Sequence, residues 1–149
     1  QAPNYGAPAG SVHALPAWIG KPHDYDFTRF NVDHWQKADR AVLAMREAGI
    51  LATCIFIIEK QGLQRELKAL SDAEYRLYRY AVARLSAFDN VWWDLGNEHN
   101  EHRDAAWGNK MGAFVKQQDP HQPGRAEHIS QNPGADPEDA DADIENQKG

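Results

Sequence analysis

The sequence predicts an α/β fold with parallel strands, and three observations carry that prediction. Amphipathic helical stretches alternate with short apolar runs. The longest run, 50–58 (Ile-Leu-Ala-Thr-Cys-Ile-Phe-Ile-Ile), is continuously apolar and rich in β-branched residues. It is too short for a convincing helix and reads as a strand buried on both faces, as in a parallel sheet. Gly and Asn fall at the junctions between the periodic segments, where chains turn. The order helix, strand, helix, strand, helix requires right-handed crossovers between parallel strands. No tandem repeat stands out beyond this rhythm.

Taken in order, residues 1–30 are rich in Pro, Gly and aromatics, among them Tyr5, Trp18, Tyr25, Phe27 and Phe30. This composition favours neither helix nor strand; it suits an active-site loop or an ordinary N-terminal arm. Asn31 or Asp33 can cap a first helix, whose Trp35, Ala38, Val42 and Met45 share a face. Gly49 supplies its stop. After the 50–58 strand comes a polar connection, 59–70, with Gly62 as a turn. Ser71-Asp72-Ala73-Glu74 is a capping box, in which Ser and Glu satisfy each other's backbone N–H groups. Tyr75, Tyr78, Val82 and Leu85 then give a second helix its apolar face. Asp89-Asn90 is a turn, and Val91-Trp92-Trp93-Asp94-Leu95 a second strand ending at Gly96. A third helix runs from about Asp104 to Gln118, with Trp107, Met111, Phe114 and Val115 on its apolar face. Pro120 ends it.

Composition bounds the function classes. The 149 residues suffice for one domain with a core. The formal charge is −6, and residues 122–149 hold seven acidic against two basic groups, so the tail carries −5 and the body only −1. A near-neutral body lacks the basic patch that a nucleic-acid surface needs. No run approaches the ~20 apolar residues that span a bilayer, so no membrane partner is expected. The N-terminus has no charged n-region followed by an apolar run, and no signal peptide is expected. The single Cys54 excludes an intrachain disulfide and reads as a buried thiol; localisation is not readable. After Pro120 the chain is rich in Pro, Gly, Asp and Glu, with Ile129 and Ile144 as its large aliphatic residues. Such a stretch is expected to be an extended or disordered tail.

At Trp92-Trp93-Asp94-Leu95-Gly96-Asn97-Glu98 the sequence resembles the fourth strand of clan A glycoside hydrolases, the TIM barrels that include family 5 cellulases and mannanases. Asp26-Phe27-Thr28-Arg29-Phe30-Asn31 and Gln118-Asp119-Pro120-His121 are similar, more specifically, to bacterial apiosidase-like glycosidases. The resemblance covers about residues 10–122. It implies a partial (β/α) TIM barrel, about half or less of the eight units that a barrel of ~250 residues contains. Residues 1–121 would form this domain and 122–149 an unrelated acidic tail. It implies cleavage of β-glycosidic bonds in poly- or oligosaccharides, with Glu98 as general acid/base and Asn97 holding a sugar hydroxyl. The clan's nucleophile, a Glu ending the seventh strand, has no matching position here.

Glycoside hydrolysis uses two carboxyl groups, roughly 5–5.5 Å apart in retaining enzymes and about 6.5–9.5 Å apart in inverting ones. Glu98 sits at a C-terminal strand end, where barrel catalysis is built. Candidates for the second carboxylate are Glu101, three residues on, and Glu59, which closes the preceding strand; Asp94 lies on the strand and faces either way. Glu98-His99-Asn100-Glu101-His102 is not the zinc-protease spacing, and neither a metal nor a cofactor is expected. His99 is a candidate for substrate binding. Aromatic rings suit apolar sugar faces. Trp18 is one such candidate, and Trp93 another; Trp92 and Trp93 point to opposite faces, so only one of the two can face sugar. Trp107 is expected in the core. A fragment of a barrel leaves strand edges open, so a homo-oligomer covering them is expected. The alternative reading is a non-catalytic carbohydrate-binding fragment that lacks the nucleophile.

Overall fold

The computed structural model describes residues 16–21, 23–57, 66–96, 99 and 103–119. Their elements are β1 (Trp18–Lys21), β2 (Asp24–Phe30), α1 (Val32–Glu47), β3 (Ala52–Ile55), α2 (Asp72–Leu85), β4 (Val91–Asp94) and α3 (Ala105–Gln118). The predicted alternation is present from α1 onward. β3 and β4 pair in parallel, in unbroken register from Ala52 with Val91 to Ile55 with Asp94. The described strands make two two-stranded sheets, which is α/β but not a closed barrel.

The N-terminal expectation requires correction. Residues 18–30 are not an irregular loop but an antiparallel hairpin, β1 with β2. Pro16 and Pro22 flank β1 in sequence instead of interrupting it. Gly20 lies at φ 115°, and a Cβ there would collide with the Asp24 carbonyl oxygen. Only glycine fits so close an approach of two backbones. Tyr25 and Phe27, two apart on β2, half-bury against the core. The hairpin is tied to α1 twice through one carbonyl: the Asn31 N–H and Trp35 Nε1 both donate to Ala17 O, at 2.9 and 3.1 Å.

Asn31 caps α1, its side chain accepting from the His34 N–H, and Trp35 and Val42 are the buried members of the predicted face. Gly49, at φ 71°, ends the helix as expected, and the Ile50 N–H closes back onto Met45 O at 2.8 Å. The 50–58 strand is shorter and more open than its composition predicts. Among its described residues only 52–55 form the strand, and Ile50 and Leu51 are exposed. In a parallel register Ala52 and Cys54 share a face with Val91 and Trp93, and this face packs inward. Thr53, Ile55 and Trp92 lie on the other face and are exposed. A run apolar throughout is thus covered on one side by the described residues.

Ser71 caps α2 and accepts from the Glu74 N–H at 3.3 Å. The reciprocal half of the capping box differs. The Glu74 carboxylate takes the Leu70 N–H, at 2.6 Å, and turns into the core. Leu70 is held at φ 54°, a left-handed conformation that is costly for a bulky side chain. The Asn90 turn is also more than a turn: its side-chain amide donates to Val42 O and Ile50 O, at 3.2 and 3.0 Å, joining α1 to the entry of β3. Asp104 caps α3 by accepting from the Trp107 N–H at 2.7 Å. Trp107, Met111 and Val115 are buried as predicted. Phe56 stacks on Tyr78 of α2 and on Trp93 of β4, so the core lies between the sheet's inward face and the helices.

Candidate active site

Parallel pairing brings the C-terminal ends of β3 and β4 to one edge of the sheet. Beyond the paired residues they stay adjacent: a Cβ on Gly96 would lie 3.5 Å from the Ile57 Cβ and 3.4 Å from the His99 Cβ. In sequence Glu59 follows Ile57 by two residues, and Asn97-Glu98 directly follows Gly96. Glu59, Asn97, Glu98 and Glu101 themselves lie outside the described residues, as does the acidic tail.

The described residues form a buried polar layer under this edge. The Asp94 Oδ1 accepts from the Gly96 N–H at 3.0 Å, turning the chain as β4 ends. The Tyr78 hydroxyl donates to Leu95 O at 2.5 Å. Burial, together with the nearby Glu74 carboxylate, pushes the Tyr78 phenol well above its ordinary value near 10, so it stays a neutral donor. Beside it the Glu74 and Arg103 side chains form an ion pair at 3.1 Å, with only 0% and 7% of their surfaces exposed. The same guanidinium donates to Leu67 O at 2.8 Å and lies over the Trp107 ring, 5.7 Å from its centroid. Trp107 Nε1 donates to the other Glu74 oxygen at 3.0 Å. The Arg103 N–H donates to His99 O at 2.6 Å.

Three candidate binding residues fall in the described structure, and none presents an open ring there. Trp18 is fully buried, stacked on Phe30 at 4.2 Å and edge-on to Phe27 at 5.6 Å. Its expected role as a sugar platform is corrected to that of a core residue of the hairpin. Trp93 is on the inward face, and its Nε1 donates to the Asp119 carboxylate at 2.8 Å. The exposed member of the pair is Trp92, with 40% of its surface open. His99 is buried against Trp107, ring centroids 5.7 Å apart, and a Cβ on Gly108 would lie 3.7 Å from its Nε2. In this structure it faces the interior. Among the described residues no group of three or more His, Cys, Asp or Glu could hold a metal ion, and no helix is long and apolar enough to cross a membrane. A hollow of about 550 Å³ lined by Asp72, Tyr75, Arg76, Arg79 and Phe114 contains no candidate residue.

Sequence reasoning missed Glu74, Tyr78 and Arg103 as members of this layer, and Asp119 as the acceptor of Trp93 Nε1. Glu74 is explained locally by the capping box and Tyr78 by helical periodicity, so neither carries a further signal. Arg103 is 29 residues from Glu74, a separation that no short pattern spans.

Known proteins share both the sequence pattern and the fold of this chain. A family profile described as "Apiosidase-like, catalytic domain" matches residues 9–144. The match runs past the boundary expected near His121 and takes in most of the acidic stretch, which sequence composition alone sets apart. A chain from the crystal structure of a "putative glycoside hydrolase" of Bacteroides vulgatus ATCC 8482 superposes with a TM-score of 0.58 at 26% identity. The similarity covers 66% of this chain but 20% of that one, so this chain spans about a fifth of that protein's length. Comparison with curated proteins gives no match.

Proposed function

This chain belongs to the apiosidase-like family of catalytic domains, and we propose that it is a glycoside hydrolase unit acting on β-linked poly- or oligosaccharides, with Glu98 as general acid/base. One observation carries the reading: the family match runs through Asn97-Glu98, and in sequence this dipeptide begins three residues beyond a parallel strand that ends at Asp94, opposite Ile55 of its neighbour. In α/β folds the C-terminal ends of parallel strands are where catalytic groups gather. Glu98 would protonate the glycosidic oxygen as the bond breaks, while Asn97 holds a hydroxyl of the same sugar. Glu59, four residues beyond the end of the adjacent strand in sequence, is the better candidate for the second carboxylate; Glu101 is the alternative.

The proposed architecture is part of a (β/α) barrel, in which α1, α2 and α3 flank one face of β3–β4 and further strands would extend the sheet. The open Thr53, Ile55 and Trp92 face supports a homo-oligomer in which two copies cover each other. The share of the neighbour that is covered, a fifth, favours one second reading: a carbohydrate-binding unit whose catalysis needs groups from elsewhere. Incubating the purified chain with β-linked oligosaccharides and reading new reducing ends separates the two. Release of reducing sugar supports the hydrolase, and glycan binding without release supports the second reading. A chain that neither cleaves nor binds these glycans would refute both.

A further inference from the structure

We propose that the hollow between α2 and α3 binds an acidic saccharide; the choice of a sugar rests on the glycoside hydrolase reading of the chain. Asp72, Tyr75, Arg76 and Arg79 fall at i, i+3, i+4 and i+7 of α2, so they share one stripe of that helix. Leu77, Tyr78 and Ala81 are buried in the core, and the stripe is on the side turned away from them. Phe114 of α3 closes the hollow. Its volume of about 550 Å³ lies within the range of roughly 300–1,000 Å³ common to small-molecule sites.

Both arginines of the stripe are held by neutral partners. Arg76 Nη1 donates to Phe27 O at 2.9 Å, and the Arg79 guanidinium lies over the Phe114 ring, 5.5 Å from its centroid. Neither forms an ion pair with a described carboxylate, although Asp72 lines the same hollow. Arg84 of the same helix shows the contrast: Asp39 takes its fork with both oxygens, at 2.7 and 2.5 Å. A guanidinium has five N–H donors, so Arg76 and Arg79 keep most of theirs for a ligand. Because each is already steadied, less side-chain freedom is lost when an anion arrives. The planar fork suits a carboxylate. An inorganic anion would leave the rest of the hollow unused. Tyr75 packs edge-on to Phe114 at 4.8 Å, giving a half-buried aromatic wall for an apolar ring face. Asp72 repels a bare anion but accepts from hydroxyl groups. A uronate, which carries a carboxylate, hydroxyls and an apolar ring face, satisfies all three features.

The test is titration calorimetry on the full chain, with a uronate tetramer and with the same tetramer after its carboxyl groups are reduced to alcohols. The acidic tetramer should bind about tenfold more tightly than the reduced one, the gain expected from charge-assisted hydrogen bonds. That preference should shrink as salt is added. The double variant Arg76→Met with Arg79→Met should lose the preference and bind both tetramers alike. Phe114→Leu should weaken both by about threefold, because the aromatic wall serves the ring and not the charge. If the double variant does not fold, Arg76→Met and Arg79→Met alone carry the comparison, each with a reduced preference. No binding by the wild type, equal affinity for the two tetramers, or an acid preference that survives both arginine substitutions overturns the proposal. Inorganic phosphate binding as tightly as the acidic tetramer overturns it too, since that result describes an anion site with no place for a sugar. Binding is read without turnover. A wild type that prefers the acidic tetramer through Arg76 and Arg79, yet releases no reducing ends from any glycan, supports the site and fails the hydrolase reading alone.

Discussion

Replacing Arg103 by methionine should destabilise the protein in proportion to what it strands. The guanidinium contacts the Glu74 Oε1 twice, from Nη2 at 3.1 Å and Nε at 3.4 Å, and makes a third bond to Leu67 O at 2.8 Å. With methionine in its place, Oε1 and the Leu67 carbonyl lose these donors in a site where Glu74 has no exposed surface. Breaking a buried pair in this way costs about 3–5 kcal/mol. The Glu74 Oε2 keeps the Leu70 N–H and Trp107 Nε1, which places the expected loss near the lower end, about 3 kcal/mol. At roughly 2–4 °C per kcal/mol for a chain of this size, the melting temperature should fall by about 6–12 °C. The double variant Glu74→Leu with Arg103→Met removes both charges but takes the acceptor from the Leu70 N–H and Trp107 Nε1, so it should recover only part of that loss. Urea titrations of the wild type, both single variants and the double variant give the coupling directly. A loss below about 1 kcal/mol, the range of solvated pairs, would show that the Glu74–Arg103 pair is not the buried, matched unit described above.

Other expectations follow from the same layer and its surroundings. Tyr78→Phe removes the hydroxyl that donates to Leu95 O and should cost about 1–3 kcal/mol in chemical denaturation. Because the folded-state phenol of Tyr78 is raised above its ordinary value near 10, its stabilising contribution is complete below that pH and is lost as pH climbs past it; Tyr78→Phe should therefore flatten the alkaline limb of a stability–pH curve, and an unchanged limb would refute the assignment. Gly20→Ala forces a Cβ onto the Asp24 carbonyl at φ 115° and should cost about 1–3 kcal/mol, read by thermal melts. Self-association through the open sheet face should appear in gel filtration as a species larger than 16.8 kDa that Trp92→Lys shifts toward monomer; a wild-type monomer refutes that expectation.

What is legible in the sequence is what is local. Asn31 or Asp33 and the Ser71 capping box announce their helices locally, and Asn31 and Ser71 accept the backbone N–H expected of a cap. Gly49 and the apolar face of α3 are legible for the same reason. Two-residue alternation says that Trp92 and Trp93 oppose one another, but not which one faces the helices; Asp119, 26 residues away, decides that by accepting from Trp93. The hairpin is hidden because Pro and Gly suggest loops, while the residue that permits it, Gly20, acts through a contact with a neighbouring strand. The strand in 50–58 is overread because apolar composition reports what a segment can bury, and Thr53 and Ile55 show what its surroundings actually cover. For the site, the Asn97-Glu98 motif is contiguous and legible. Glu74 and Arg103 meet only through the fold.

The central claim is that Glu98 donates the proton in glycoside cleavage, and Glu98→Gln tests it most directly. Glutamine keeps the size and removes the acidic proton. On a β-linked glycoside whose leaving group needs protonation, kcat should fall about 10²–10⁴-fold, with the melting temperature unchanged from that of the wild type. A Glu98→Gln variant that melts like the wild type and cleaves the same glycoside at the wild-type rate would contradict that claim.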